Sequence, residues 1–125
     1  MAGIIDVKKS GYVYVKLSEK PFQNIFNQLK QNKPLRLYSG SHIGPHITLA
    51  WAHEGRQKLE FFKKMKGKIV LFDKATYAKH HKIHKIDVES KQITTIRKIA
   101  GLAPTLFDRK NNRYPIPFHM TVGTE

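Results

Sequence analysis

The chain has 125 residues, 40 % of them apolar, and no cysteine. That length supports one domain with a real core, and the missing thiols exclude disulfides and thiolate metal sites. Lysine and arginine total 23 against nine acids, a formal net charge of +14 that favours a polyanionic partner: RNA, DNA, a nucleotide or an acidic membrane surface.

Met1 to Lys9 holds no apolar run long enough for a signal peptide, and no stretch is long enough to span a membrane. A cytoplasmic protein without membrane contact is therefore expected. Gly11 to Leu17 alternates cleanly and reads as a strand, with Val13, Val15 and Leu17 toward the core. Tyr12, Tyr14 and Lys16 share the other face, where a phenol can meet a phosphate or a ring can stack on a base. The plain reading is that tyrosines favour strands.

Ser18 opens a helix signal with Pro21 early and Phe22, Ile25, Phe26 and Leu29 at helical spacing; Asn32-Lys33-Pro34 ends it. Leu35 to Tyr38 reads as a short strand, and Ser39 to Pro45 as a loop. Arg36 and His42 lie close enough in sequence to His46 and Thr48 to help hold a phosphate, although His42 also suits an exposed loop.

Then comes His46-Ile47-Thr48-Leu49, in a strand expected to run to Ala52. His46 and Thr48 fall on one face, while Ile47, Leu49 and Trp51 fall on the other. Gly55 to Lys66 reads as an amphipathic helix with Leu59, Phe62 and Met65 inward, and Lys68 to Asp73 as a strand. Thr76 to Val88 continues as a hairpin turning near Lys79-His80-His81-Lys82. His80, His81 and His84 cluster there, but the lysines at 79, 82 and 85 repel a cation, and no carboxylate or thiolate joins them. A basic turn, either touching nucleic-acid phosphates or forming plain surface, fits better than zinc. Ser90 is an N-cap for a helix to about Gly101, with Ile93, Ile96 and Ile99 or Ala100 inward. Asp108 to Tyr114 is a polar, basic loop.

That loop leads through Pro115 and Pro117 into His119-Met120-Thr121-Val122, which repeats the alternation of the first motif. His119 and Thr121 share a face, with Met120 and Val122 opposite. One His-x-Thr among seven histidines is a weak signal. Two copies, each in an apolar strand pattern behind a proline-containing approach, are a stronger one.

His46-Ile47-Thr48-Leu49 and His119-Met120-Thr121-Val122 together resemble the 2H phosphoesterase superfamily, defined by two His-x-Thr/Ser motifs. The stretch His119 to Thr124 is similar to the corresponding part of fungal tRNA-ligase cyclic phosphodiesterase domains and of myelin-type 2',3'-cyclic nucleotide phosphodiesterases. The resemblance implies a single α+β domain over residues 1–125, two-lobed and pseudo-symmetric. Antiparallel sheets would line a central cleft, with helices outside. Relatives often continue beyond the second motif with further strands, whereas this chain stops four residues after Thr121. A substrate-gripping element found there would be absent or supplied from elsewhere in the chain.

Breaking a phosphodiester needs a base for the attacking oxygen and an acid for the leaving one, and imidazoles supply both near neutral pH. His46 and His119 are the candidate catalytic pair. Thr48 and Thr121 are candidate donors to the non-bridging oxygens. Tyr12, Tyr14, Arg36 and His42 are further candidates for substrate contact. The chemistry needs no metal and no cofactor. By resemblance, water attacks a 2',3'-cyclic phosphate and a 2'-phosphate results. One sequence does not distinguish base from acid; we start from His119 as base and His46 as acid. The partner expected is RNA or a cyclic oligonucleotide, and the protein a monomer. Two other readings remain. One is a phage-type phosphodiesterase that degrades cyclic oligonucleotide immune signals or 2'-5' oligoadenylates. The other is a non-catalytic RNA-binding module.

Overall fold

Alternation of core-facing and outward-facing side chains builds two antiparallel sheets, seen in a computed structural model that describes residues 2–30, 36–37, 44–110 and 113–124. The elements, in chain order, are β1 (Ala2–Val7), β2 (Val13–Leu17), α1 (Glu19–Lys30), β3 (Arg36–Leu37), β4 (His46–Ala50), α2 (Ala52–Gln57) and α3 (Leu59–Met65). They continue with β5 (Ile69–Leu71), β6 (Lys74–His80), β7 (Ile83–Glu89), α4 (Lys91–Ile99), β8 (Leu106–Phe107), β9 (Pro115–Ile116) and β10 (Phe118–Thr124). One sheet has the order β4-β2-β1-β5 and the other β3-β10-β7-β6, with β8 and β9 forming a small hairpin. The fold is α+β. Each large sheet draws on both halves of the chain, because β3 pairs with β10 while β5 returns to β1.

The strand β1 has no legible apolar alternation. Its buried positions are Gly3 and Ile5, whereas Ile4 is half-exposed. A Cβ at Gly3 would sit 2.5 Å from Val15 Cγ1, so the core side of this strand has no room for a side chain there. The expected helix from 55 to 66 is two short ones. It starts earlier because the Glu54 carboxylate accepts from the Trp51 N–H (3.0 Å), half of a capping box, and it breaks at Lys58 (φ −129°, ψ 35°).

Ser90 caps α4 as anticipated, its Oγ accepting from the Ile93 N–H at 3.3 Å, and Gly101 leaves the helix at φ +78°. The inward stripe is Ile93, Ile96 and Ala100, while Ile99 faces solvent. Between β6 and β7 the turn passes through His81 at φ 55°. His80 and His81 are exposed there, but His84 is buried and bonded to the Tyr77 hydroxyl. Reading all three as turn surface fails for His84, which alternation along β7 turns inward.

One contiguous core joins both sheets. Val13, Val15, Ile47 and Leu49 meet Ile86, Val88, Phe118, Met120 and Val122 in it, with Phe62 and Ile93 packed alongside. In α1, Phe26 is buried. The side chains at 22, 25 and 29, and the expected helix end at 32–34, lie outside the described residues.

Candidate active site

Both motif strands send their middle apolar residues into the shared core, so His46 and Thr48 on β4 and His119 and Thr121 on β10 are left on the opposite face. The two strands run beside each other, with Cα atoms within 8 Å across the gap between sheets. The strands that carry the four side chains are thus neighbours, and His119 is near enough for its charge to act on His46.

The two motifs match beyond their letters. His46 Nδ1 lies 2.7 Å from the carbonyl oxygen of Gly44, and His119 Nδ1 lies 3.0 Å from that of Pro117. A carbonyl only accepts, so each Nδ1 carries the hydrogen and donates it to the residue two positions back. Each Nε2 is then the nitrogen free to take or give a proton. A β-bulge follows each threonine. Leu49 has no partner in the β2–β4 register, where Tyr14 opposes Thr48 and Val13 opposes Ala50. Val122 has none in the β7–β10 register, where Lys85 opposes Thr121 and His84 opposes Gly123.

The first bulge overturns the expectation that Trp51 joins Ile47 and Leu49 on the core face. An extra residue reverses alternation, so Ala50 joins Leu49 in the core and Trp51 swings to the site side. There its indole stacks on Tyr12 (centroids 6.4 Å apart), and its Nε1–H donates to the Phe107 carbonyl at 2.8 Å.

Tyr12 is half-buried and its hydroxyl lies 2.5 Å from Thr48 Oγ1. With the phenol donating, the Thr48 hydrogen is free to point at a substrate oxygen. Tyr14 is in a different position. It is 6 % exposed, its hydroxyl donates to Asp6 Oδ2 at 2.9 Å, and burial and that carboxylate push its phenol up to about 12. Burial pushes the Asp6 carboxyl up, but the Val7 N–H, the Tyr14 hydroxyl and the Lys66 ammonium outweigh it and hold it below the usual range. Tyr14 thus has its hydroxyl engaged by Asp6 and its ring against His46, which packs on it edge-on (5.8 Å). Of Arg36 only the backbone is described, paired in register with Thr124; His42 lies outside the described residues.

Burial lowers the proton affinity of His46, and the charges of Lys8 and His119 lower it further, against the opposing pull of the Gly44 carbonyl. His46 is thus held toward the neutral form, with His119 near enough to act on it.

Sequence reasoning missed Arg97, which is fully buried on α4. Its Nε donates to Ala103 O (2.7 Å), Nη1 to Leu49 O (2.9 Å) and Glu54 Oε1 (3.1 Å), and Nη2 to Glu54 Oε2 (2.7 Å) and Thr105 O (3.1 Å). A guanidinium has five N–H donors, and all are used. The bulge carbonyl of Leu49 is thereby tied to α2 and to the segment before β8. A basic residue near a helix C-terminus ordinarily reads as solvated, and only burial distinguishes this one.

A groove of about 560 Å³ lies along β1 and β5 among Ile4, Asp6, Lys16, Lys66 and Ile69, and none of the four motif residues lines it. Among the described residues, no group of three or more His, Cys, Asp or Glu side chains could hold a metal ion, and no helix is long and apolar enough to cross a membrane. Compared with protein-family models, curated proteins and solved structures, the chain finds no match.

Proposed function

We propose that the protein is a phosphodiesterase of the 2H type, cleaving nucleotide or RNA phosphodiesters by histidine acid–base catalysis. The observation that carries this reading is the matched geometry of the two motifs. Each has a histidine fixed through Nδ1 to the carbonyl two residues back, then a threonine on the same face, then a bulge, on strands that lie side by side. Repetition of that whole set supports a pseudo-symmetric pair of lobes meeting at the site. A pair of half-buried strand histidines with no task would not need the same ring-to-carbonyl bond twice.

The reaction needs a neutral imidazole and a protonated one. Burial and the Lys8 and His119 charges favour neutral His46, so we assign it the base, accepting a proton from the attacking oxygen at Nε2. His119 then delivers a proton from its own Nε2 to the leaving oxygen. This reverses the assignment taken from the sequence. Thr48, oriented by Tyr12, and Thr121 donate to the non-bridging oxygens as charge gathers there. In this reading water attacks a 2',3'-cyclic phosphate, the P–O3' bond breaks, and a 2'-phosphate with a free 3'-hydroxyl results.

The test is a substrate panel in EDTA: RNA ending in a 2',3'-cyclic phosphate, a 2'-5' oligoadenylate and a 3',3'-cyclic dinucleotide. Turnover of the first ahead of the others supports the reading. Preference for either of the others keeps the chemistry and changes the substrate. No turnover together with tight, salt-sensitive RNA binding replaces it with a binding module.

A further inference from the structure

Opposite residues in an antiparallel pair put their side chains on the same face. His119 stands opposite Asp87, and Thr121 opposite Lys85, so both β7 residues flank the second motif on its outward face. One strand further out, Thr76 stands opposite Asp87 and Ala78 opposite Lys85. Lys85 Nζ is 3.1 Å from Asp87 Oδ1, and its side chain is only 17 % exposed. Lysine is seldom held this far from water without a partner, because its stem and its charge both prefer freedom. Here the ammonium is ion-paired with Asp87 on the outward face of the sheet, at a carboxylate oxygen that is buried and accepts no hydrogen bond. An ammonium has three N–H donors, and the Asp87 contact takes at most one. In the other sheet the place opposite the motif threonine is taken by Tyr14, which faces Thr48, while the lysine there, Lys16, stands opposite His46 and is exposed.

We propose that Lys85, positioned by Asp87, binds a second phosphate of the substrate, next to the one that reacts. This rests on the phosphodiesterase reading and deepens it. A phosphate between His46 and His119 is already served by two threonines. Strands lie about 4.8 Å apart, so a group carried by β7 meets the substrate one step outward from β10. The substrate class that uses such a cation is an oligonucleotide with a phosphate adjoining the scissile one, in preference to a mononucleoside cyclic phosphate.

The test compares a 2',3'-cyclic mononucleotide with a dinucleotide ending in the same cyclic phosphate. The enzymes are wild type, Lys85→Met and Lys85→Arg. In Lys85→Met we expect KM for the dinucleotide to rise roughly 10-fold more than KM for the mononucleotide, the size of one charge-assisted contact. The dinucleotide should also lose about 0.7 from its log–log salt slope, and Lys85→Arg should restore most of both. Equal losses on both substrates, or no loss on either, overturn the proposal. If wild type turns over neither substrate, the phosphodiesterase reading fails separately. Equilibrium binding of the same two molecules then decides, selective weakening of the dinucleotide by Lys85→Met supporting the second-phosphate site and equal binding refuting it.

Discussion

Leu49 and Val122 hold the same place in their strands: each is the bulge residue directly after the threonine of a His-x-Thr motif. A bulge bends and twists its strand locally and re-aims the residues beyond it. In β4 it carries Trp51 to the site side, where the indole backs Tyr12, and Tyr12 in turn reaches Thr48.

Tyr12→Phe keeps the stacked ring and removes only the hydroxyl that meets Thr48. If the phenol orients Thr48 toward a substrate oxygen, kcat should fall about 10-fold with little change in thermal stability. Steady-state kinetics beside a melting curve reads both. An unchanged kcat would show that Thr48 orients without Tyr12.

His46 should titrate below 6.5, its ordinary value, when followed by NMR of the imidazole. Lys8→Met should raise the titration point, because one of the charges disfavouring the imidazolium is gone. Linkage sets the sign for stability. With its folded value depressed, His46 favours folding fully above 6.5, and that contribution is lost as pH falls through the folded value. As the base, it should also keep kcat/KM high to a pH below 6.5. A limb set above 6.5 would contradict His46 as the base.

Arg97→Met should cost about 3–5 kcal/mol, since it strands Glu54 and leaves the Leu49, Ala103 and Thr105 carbonyls without their donor. Denaturant unfolding measures it. Burial raises the Glu54 carboxyl, but the Arg97 guanidinium and the Trp51 N–H outweigh it and hold it below its ordinary 4.5. This contribution is therefore complete above pH 4.5 and disappears as pH falls through the lower folded value. A loss under about 1 kcal/mol would mean that the pair is dispensable.

Gly55→Ala tests how α2 is seated. A Cβ there would clash with the Gly11 carbonyl oxygen, with Gly11 itself at φ +94° against Ala52 O and Arg56 N. Tyr12 directly follows Gly11 and its ring stacks on Trp51, so a displaced Gly11 bears on that stack. We expect a loss of about 1–3 kcal/mol, together with weaker quenching between the Tyr12 and Trp51 rings in fluorescence. A Gly55→Ala variant as stable as wild type would contradict the close approach.

The motif strands, α4 with its Ser90 cap and the β6–β7 hairpin were readable because their apolar spacing and cap chemistry are local. What was not readable depends on partners far along the chain. β1 hides its register behind Gly3, which makes room for Val15. The bulge at Leu49 inverts the face of Trp51, and nothing in His46-Ile47-Thr48-Leu49-Ala50-Trp51 announces it. Arg97 looks like any helix-end cation until Glu54 and Leu49 are brought to it. Lys85 served in the sequence only as a charge that repels metal. Asp87 lies two residues further along the same face of β7, but the place of Lys85 beside Thr121 is a fact of register, which spacing within β7 alone does not disclose.

The most direct measurement is single-residue: His46→Ala and His119→Ala, each assayed in EDTA on RNA ending in a 2',3'-cyclic phosphate, with folding checked by circular dichroism. We expect each change to lower kcat by at least about 100-fold, the usual worth of one positioned acid or base, while fold and most RNA affinity persist. Hydrolysis at the wild-type rate by either folded variant would contradict the two-histidine site.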